Sequence, residues 1–186
     1  MHSVRRLRAE TRRAHILEHA RKLFSRHGYS GTSIGMIASA AGISQGLLYN
    51  YFSGKDALLS AMIDEVVVDA ESIFAVDAAG SPGERLERLV RAAFDLVARH
   101  RDFWRLWYGL RMQPAGLASL GAPLSSLTAT VRRTLASYAA DAGFPRPDLE
   151  AELLFALIDG TSQHYVLEPN RYPLEEMTTY IIARWR

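Results

Sequence analysis

Apolar residues recur with helical spacing along almost the whole chain. From residue 9 to residue 27 they fall at every third or fourth position, as expected for a helix with one buried face. Similar patterns follow over 34–40, 45–52, 56–74, 84–99, 102–112, 124–142, 148–168 and 174–185. Apolar and polar residues nowhere alternate over more than a few positions, so strands are not expected. The pattern predicts an all-α protein.

Glycine, serine and proline mark where these helices begin and end. Gly28 is placed to end the first helix, while Ser33 and Ser44 are placed to cap the second and the third. The segment 77–83 contains only Asp, Ala, Gly, Ser and Pro, which predicts a linker. Prolines in the later connections cannot continue a helix and therefore separate the C-terminal elements.

Charge is distributed unevenly between the two parts of the chain. Residues 1–60 contain nine Lys and Arg against three Asp and Glu, whereas residues 61–186 contain thirteen against seventeen. A basic module next to an acidic one favours contact of the first with a polyanion. The sequence has no cysteine, which excludes disulfides and thiolate metal sites. Without a membrane-span pattern or a signal-peptide pattern, we expect a cytoplasmic protein.

Residues 33–52 have the proportions of a helix-turn-helix. Two short helices flank a turn at 41–43, and the second is polar enough at its start to enter a major groove. Ile37, Leu48 and Phe52 are expected in the core. The side chains and backbone expected at base edges are those of Gln45, Gly46, Leu47 and Asn50. Phosphate contacts are expected from Thr32, Ser44, Tyr49, Tyr51 and Lys55.

These residues resemble the DNA-binding domain of the TetR (tetracycline-repressor-like) family. The resemblance covers Ile16 to Met62 and rests on Ala20, Phe24, Gly28–Tyr29, Thr32, Ile37–Ala38, Ala41–Ser44, Gly46, Leu48–Tyr49, Tyr51–Phe52, Lys55 and Leu58–Leu59. It implies a nine-helix subunit, with three N-terminal helices on DNA and the last two paired in a dimeric four-helix bundle. It also implies DNA contacts at Thr32, Gln45, Tyr49, Tyr51 and Lys55. Leu47 and Gly35 depart from the family pattern.

The expected division is a helix-turn-helix DNA-binding domain at 1–54 and a ligand-binding and dimerisation domain at 55–186. In the second part, Trp104, Trp107, Tyr108 and Arg111 share one helical face. An aromatic stripe of this kind forms either a core or the wall of a ligand pocket, with Tyr108 or Arg111 fixing the polar end of the ligand.

The helix over 148–168 presents two faces. Leu153, Leu154, Leu157, Ile158 and Tyr165 are expected to be buried, whereas Ala156, Gly160 and His164 form a thinner line of small residues and one histidine. The resemblance favours a dimer interface formed by Leu157, Gly160, Thr161, His164, Met177, Ile181 and Trp185. Alternatively, Asp159, Gln163 and His164 contact an effector.

Two N-terminal features have a second interpretation. His15, Glu18 and His19 match the H-x-x-E-H pattern of a zinc-protease helix, but a third ligand is not evident and the helix belongs to the basic module, so we interpret the histidines as solvated. Arg5, Arg6 and Arg8 form either a solvated tail or an arm that contacts DNA. No metal or other cofactor is required by the sequence.

The sequence thus predicts a ligand-responsive transcription repressor, and not an enzyme. It would bind a palindromic operator in double-stranded DNA as a homodimer and leave it when a small-molecule effector binds. Three alternatives remain: an activator or nucleoid-type binder with the same fold, an enzyme or carrier with an incidental helix-turn-helix, and a dimeric protein-interaction module.

Overall fold

The computed structural model describes residues 2–74, 80–111 and 122–185. Within these ranges it contains nine α-helices and no strand. Their bounds are α1 His2–His27, α2 Ile34–Ala40, α3 Gln45–Tyr49, α4 Lys55–Phe74, α5 Pro82–Arg99, α6 Arg101–Arg111, α7 Ala122–Asp141, α8 Pro147–Leu167 and α9 Leu174–Ala183. The all-α prediction is confirmed. None of the described helices is long and apolar enough to span a bilayer.

Helix boundaries agree with the sequence pattern where a glycine or a capping residue sets them. Gly28 has φ of 73° and ends α1, and Ser33 caps α2 by accepting a hydrogen bond from the Met36 amide at 3.2 Å. At the other end, α1 begins at His2, well before the predicted start, because nothing between residues 2 and 27 interrupts a helix. The side chains of residues 1–8, which include the N-terminal arginines, lie outside the described ones.

The start of α5 is fixed by a capping box. Ser81 accepts from the Glu84 amide, the Glu84 carboxylate accepts from the Ser81 amide at 2.8 Å, and Pro82 occupies the first turn. This start lies within the segment that the sequence predicts as a linker, since Pro is compatible with a first helical position. Residues 77–79 of that segment, and Met112 at the predicted end of the sixth helix, lie outside the described residues.

The first core joins the N-terminal helices to the middle of the chain. It contains buried residues of α1 to α4, and residues of α6 such as Phe103, Leu106 and Leu110 belong to the same cluster. Ile37 and Leu48 are fully buried and Phe52 nearly so, as predicted. The helix-turn-helix therefore rests on a hydrophobic base to which α6 contributes directly.

The second core holds the C-terminal helices together. It is formed by α5, α7, α8 and α9, with Leu154, Ile158 and Ile181 among its buried residues. One expectation for α8 is wrong: Leu153 is 48% exposed, whereas the next residue, Leu154, is buried in the second core. The buried stripe of α8 continues instead through Thr161, Ser162 and Val166.

Two glycines near the turn between α2 and α3 should respond oppositely to alanine. Gly42 has φ of 65°, which costs an L-residue about 1–2 kcal/mol, so Gly42→Ala should destabilise the protein by about that amount. Gly46 lies inside α3 with open space where a Cβ would stand, so Gly46→Ala should leave stability unchanged or raise it by up to about 1 kcal/mol. Urea unfolding of both variants at equal protein concentration measures the difference, and equal effects would contradict this account.

Candidate nucleic-acid interface and ligand cavity

The helix-turn-helix is built from two capped helices and a glycine turn. Ser44 caps α3 by accepting a hydrogen bond from the Leu47 amide at 3.1 Å, as Ser33 does for α2. Between the helices, the Ile43 amide donates to the Ala38 carbonyl at 3.0 Å, and Gly42 has a positive φ. These local bonds set the angle at which α3 leaves α2.

One face of α3 is anchored and the other is unpartnered. Leu48 is fully buried beneath the helix, whereas Leu47 is 37% exposed and Tyr49 is 54% exposed. The remaining exposed positions of this segment are Ser44, Gln45, Gly46 and Asn50. Two large exposed apolar side chains among amide and hydroxyl groups form a surface suited to base edges and thymine methyl groups. The structure thus brings together six of the nine residues expected at DNA.

Gly35 and Gln45 are packed against each other across the turn. A Cβ at Gly35 would lie 3.0 Å from Nε2 of Gln45, so a larger residue would displace the amide. Gly46 has nothing within 4 Å of its Cβ position, which leaves the start of α3 open to the approach of a large ligand. The departure from the family pattern at Gly35 therefore makes room for Gln45.

The other three expected DNA contacts are placed differently. Thr32 is 2% exposed, and its hydroxyl donates to the Gly28 carbonyl at 2.9 Å, so this side chain secures the end of α1. Tyr51 is half-buried against the first core. The Lys55 ammonium donates to the Tyr29 carbonyl at 2.8 Å and lies 4.6 Å from the centre of the Tyr29 ring. Lys55 is held at the edge of the surface with two further N–H donors.

Tyr29 is fixed by its neighbours on both sides. Its hydroxyl donates to Asp56 at the start of α4, and its ring packs against Phe24 with centroids 5.2 Å apart. Burial and the Asp56 carboxylate raise the pKa of Tyr29 well above its ordinary value, so it stays a hydrogen-bond donor throughout the physiological range. The position of Lys55 therefore depends on the α1–α4 junction.

The two histidines of the H-x-x-E-H pattern lie side by side on α1. Their Nε2 atoms are 3.3 Å apart, and Glu18 is engaged with Lys22 at 2.9 Å and with Arg21 at 3.0 Å. The hydrogen bond from Lys22 lowers the pKa of Glu18. Among the described residues no group of three His, Asp or Glu side chains is arranged to hold a metal ion.

A cavity of about 630 Å³ lies between α4, α5, α6, α7 and α8. Its wall is mostly apolar and includes Ile73, Leu96, Leu124 and Phe155. The four residues of the predicted aromatic stripe, Trp104, Trp107, Tyr108 and Arg111, all line it. The volume lies within the range typical of small-molecule sites.

A polar network closes one part of this wall. The Tyr108 hydroxyl donates to Oδ1 of Asp159 at 3.2 Å, and Arg111 donates to both carboxylate oxygens at 3.1 and 3.0 Å. Burial, followed by the charge of Asp159, raises the pKa of Tyr108 and keeps its hydroxyl protonated. The Asp159 side chain therefore faces α6 at the cavity wall. This position fits the alternative interpretation of Asp159 as an effector contact.

Sequence reasoning missed Ser162 as a cavity residue. It lies one turn after Asp159 on the buried side of α8 and is 2% exposed. The only available signal was its i, i+3 spacing from Asp159, and a small polar residue in a helix gives no indication of what it faces.

The residues expected at a dimer interface fall into two groups. Leu157, Gly160 and Met177 are half-buried and His164 is exposed. Thr161, Ile181 and Trp185 lie inside the subunit with exposures of 4%, 1% and 5%, and the Trp185 indole donates to Glu150 at 3.1 Å. These three side chains have almost no surface left for a partner, and Ile181 and Trp185 belong to the second core of the same subunit.

An outer stripe of α8 carries exposed leucines instead. Leu149, Leu153 and Leu167 are 54%, 48% and 52% exposed, and they share a face with Leu157, Gly160 and His164. A continuous apolar stripe on the outer surface is typical of an association site.

Helix α6 connects the cavity to the helix-turn-helix. Trp104 and Tyr108 line the cavity, and Phe103 of the same helix is fully buried in the first core. At its start, the Asp102 carboxylate accepts from the Ser25 hydroxyl of α1 at 3.2 Å. A displacement of α6 would therefore change its contacts with α1.

Two regions of the chain match known protein families. Residues 16–62 match the family described as "Bacterial regulatory proteins, tetR family". Residues 82–184 match the family described as "BetI-type transcriptional repressor, C-terminal". The second match alone covers more than half of the chain.

Curated relatives are transcription regulators. The chain is 35% identical over 94 residues to the HTH-type transcriptional repressor KstR2 of Mycobacterium tuberculosis, covering 48% of this chain and 46% of the relative. It is 38% identical over 101 residues to the HTH-type transcriptional regulator HbdR of Aromatoleum sp., covering 53% and 44%. The chain thus spans about half the length of these relatives. The HTH-type transcriptional repressor DhaR of Mycobacterium sp. is 25% identical over 190 residues, covering 91% and 89%.

Solved structures show the same fold along nearly the whole chain. A TetR-like transcriptional regulator from Rhodococcus sp. RHA1 has a TM-score of 0.76 at 23% identity, covering 94% of this chain and 93% of the other. A tetR-family regulator from Streptomyces coelicolor has a TM-score of 0.69 at 28% identity, covering 95% and 79%.

Proposed function

Because the chain belongs to the TetR family of bacterial transcription regulators, we propose that it is a repressor that binds a palindromic operator as a homodimer and leaves it when a small molecule binds. The observation that carries this proposal is the exposed face of α3, where Leu47 and Tyr49 stand on a capped helix without a partner. The protein would act in the cytoplasm, where bacterial DNA lies, and it would need no cofactor.

DNA is bound through the segment 1–54. The N-terminal residues of α3 enter the major groove, where Gln45 and Asn50 can each bond an adenine edge and Leu47 can pack on a thymine methyl group. Gly46 allows the backbone to approach closely. Ser44, Tyr49 and Lys55 bind phosphates and set the position of the helix on the duplex. Thr32 does not contact DNA itself in this proposal, because its hydroxyl is already bonded to the Gly28 carbonyl. It stabilises the conformation of the loop between α1 and α2.

Dimerisation is a function of the segment 55–186, through the outer stripe of α8. The exposed leucines Leu149, Leu153 and Leu167 supply apolar area, and Gly160 permits close approach of a second helix. His164 and the half-buried Met177 extend the same surface. To bind a palindrome, such a dimer must hold its two α3 helices at the separation of successive major grooves, about 34 Å.

Gly160→Leu should weaken the dimer without destabilising the subunit. The Cβ position of Gly160 has nothing within 4 Å, so the leucine fits the single chain but keeps a second helix at a distance. Gly109→Leu is the matched control, because Gly109 is also a helical glycine with an open Cβ position and lies outside the outer stripe of α8. Sedimentation velocity across protein concentration should show a dissociation constant raised at least about tenfold for Gly160→Leu alone. An equal shift in both variants would contradict a dimer contact at α8.

The effector site is the cavity between α4 and α8. A molecule that fills it contacts Trp104 and Tyr108 on α6, and through Phe103 and the Asp102–Ser25 hydrogen bond it biases the position of α1. The effector binds more tightly to a subunit arrangement in which the two α3 helices have a different separation. Its binding therefore shifts the population away from the arrangement that binds DNA. A complete switch in occupancy, from 99:1 to 1:99, requires a preference of about 5.5 kcal/mol for the released state.

The test is selection of operator DNA from randomised duplexes by the purified protein, followed by anisotropy titration at several salt concentrations. One palindrome, bound by two subunits with an affinity well above that for random DNA, is the expected result. Binding that is independent of sequence and driven only by salt would reject the proposed repressor function. A screen of small molecules against the selected operator then tests the effector response.

A further inference from the structure

The cavity between α4 and α8 has an apolar interior and a basic rim. Buried leucine and valine side chains line the interior, among them Leu96, Val97 and Leu124. The described residues of the wall include four charged side chains, which are Arg111, Arg132, Arg133 and Asp159. The three arginines are exposed, so their guanidinium groups lie where the cavity opens to solvent. The site therefore joins a hydrophobic interior to a positively charged opening.

The negative charge at this opening is already in use. Asp159 accepts two hydrogen bonds from Arg111 and a third from the Tyr108 hydroxyl at 3.2 Å. It is the one carboxylate among the described residues of the wall. The segment 112–121, which connects α6 to α7, contains no Asp or Glu in its sequence. A cationic ligand would therefore meet arginines and a carboxylate that is already paired, which disfavours it.

Arg133 is the charge that the described part of the chain leaves unbalanced. It donates to the neutral Thr130 hydroxyl at 3.0 Å and forms no ion pair with a described residue. The neighbouring Arg132 is only loosely paired, with its Nε atom 3.4 Å from Oε1 of Glu152. Once Asp159 is assigned to Arg111 and Glu152 to Arg132, one positive charge remains at the rim.

The arginines of the rim lie on adjacent turns of α8. The Arg132 guanidinium lies 4.5 Å from the centre of the Phe155 ring, and Arg111 binds Asp159 four residues later, about 6 Å further along the helix axis. A guanidinium group presents a planar fork of N–H donors that matches a carboxylate. Because Arg111 and Arg132 are 46% and 44% exposed, an anion beside them stays partly hydrated and avoids the full cost of burial.

We propose that the cavity binds a carboxylate amphiphile, with its apolar body between α4 and α8 and its carboxylate at the rim beside Arg132 and Arg133. This inference rests on the proposed role of the cavity as the effector site and names the chemistry of the effector. A carboxylate carries the single negative charge that balances Arg133. The apolar body contacts interior residues such as Leu96 and Leu124.

Calorimetric titration of the full chain at pH 7, without DNA, compares decanoate with decylamine. The two probes share an apolar chain, and both head groups are ionised at this pH with opposite charge. Decanoate should bind at least about tenfold more tightly, because the rim attracts one head group and repels the other. Equal affinity, or tighter binding of the amine, overturns the proposal. Failure of decanoate to bind overturns it as well, since the cavity of about 630 Å³ has room for it.

Substitutions then test the head-group contact. Arg133→Gln should weaken binding of decanoate by about 2- to 5-fold, the range expected for a partly exposed ion pair. Binding of the uncharged 1-decanol to the same variant should not change. Arg105→Gln is the matched control, because Arg105 is an exposed arginine of α6 outside the described wall, and it should bind decanoate as the wild type does.

Two outcomes of this series contradict the contact. Equal decanoate affinity in Arg133→Gln and Arg105→Gln would show that Arg133 does not hold the carboxylate. An equal loss of decanoate and 1-decanol in Arg133→Gln would show that the substitution changes the shape of the cavity and not the charge at its rim. Either result overturns the proposal.

The outcome is separable from that of the proposed function. Decanoate binding that depends on Arg133 but does not alter operator affinity supports the site and counts against the effector response. A protein that selects a palindrome but binds decanoate no more tightly than decylamine retains the proposed DNA-binding function, and the inferred ligand chemistry fails.

Discussion

Leu47→Glu should lower affinity for the selected operator at least about 100-fold and leave the protein folded. Leu47 is 37% exposed on the face of α3 assigned to the major groove, so a glutamate there meets phosphates and acceptor-rich base edges. Like charges brought together at an interface cost several kcal/mol, and each 1.4 kcal/mol is about tenfold in affinity. A dimer bound to a palindrome carries the substitution in both subunits, so the loss of binding free energy is doubled.

The same substitution should not harm the isolated protein. Ser44 caps α3, and Leu47 is the position three residues later, where glutamate completes a capping box and interacts favourably with the helix N-terminus. A thermal midpoint equal to or above that of the wild type is therefore expected for Leu47→Glu. This combination separates a binding defect from a folding defect.

Two controls isolate the charge at this position. Glutamine has nearly the shape of glutamate without its charge, so Leu47→Gln should lose clearly less operator affinity than Leu47→Glu. Val68→Glu adds the same charge at a 63% exposed apolar position of α4 and should bind operator within a few-fold of the wild type. Operator binding by Leu47→Glu at wild-type strength would show that this face of α3 does not enter the groove.

Phe103→Ala should destabilise the protein by about 3–5 kcal/mol, the cost of removing a fully buried phenylalanine. Its ring lies in the first core and contacts two indoles of the same helix, with centroids 5.5 Å from Trp104 and 6.5 Å from Trp107. The void left by the ring would also weaken the packing of α6 on α1. The loss in free energy of unfolding therefore includes the contact between the two parts of the chain.

Urea unfolding at a fixed protomer concentration measures this loss, because stability of a dimer depends on concentration. Phe155→Ala is the comparison: Phe155 is half-buried and already borders the cavity, so its truncation should cost clearly less. An equal loss in the two variants would mean that Phe103 is not a central part of the junction.

The local elements could be predicted because their signals are local. Gly28 and Gly42 require positive φ, Ser33 and Ser44 cap the helices that follow them, and the apolar spacing sets which side of each helix is buried. The exposed face of α3 follows from the same rule, since Leu48 turns inward and the residues around it must turn outward. The resemblance carried by residues 16–62 is made of these local features, and the match to known families confirmed it.

Contacts between distant segments were beyond the sequence, because periodicity shows that a side chain is buried and not what it is buried against. The apolar pattern of α9 is the same whether it packs on its own subunit or on a partner, and only the fold places Ile181 and Trp185 in the second core. Leu153 and Leu154 are adjacent in the same apolar pattern, and only the fold shows that Leu153 is exposed and Leu154 buried.

The all-α character, the capped helix-turn-helix and the aromatic stripe of α6 could all be inferred from the sequence, since each depends on residues within a few turns of one another. The packing of α4 to α8 was needed to show that this stripe borders a cavity and that Asp159 is already bonded there. The reason is physical: a hydrogen bond or a void between α6 and α8 depends on how helices some fifty residues apart approach each other, as the Tyr108–Asp159 bond does. No local propensity encodes that distance.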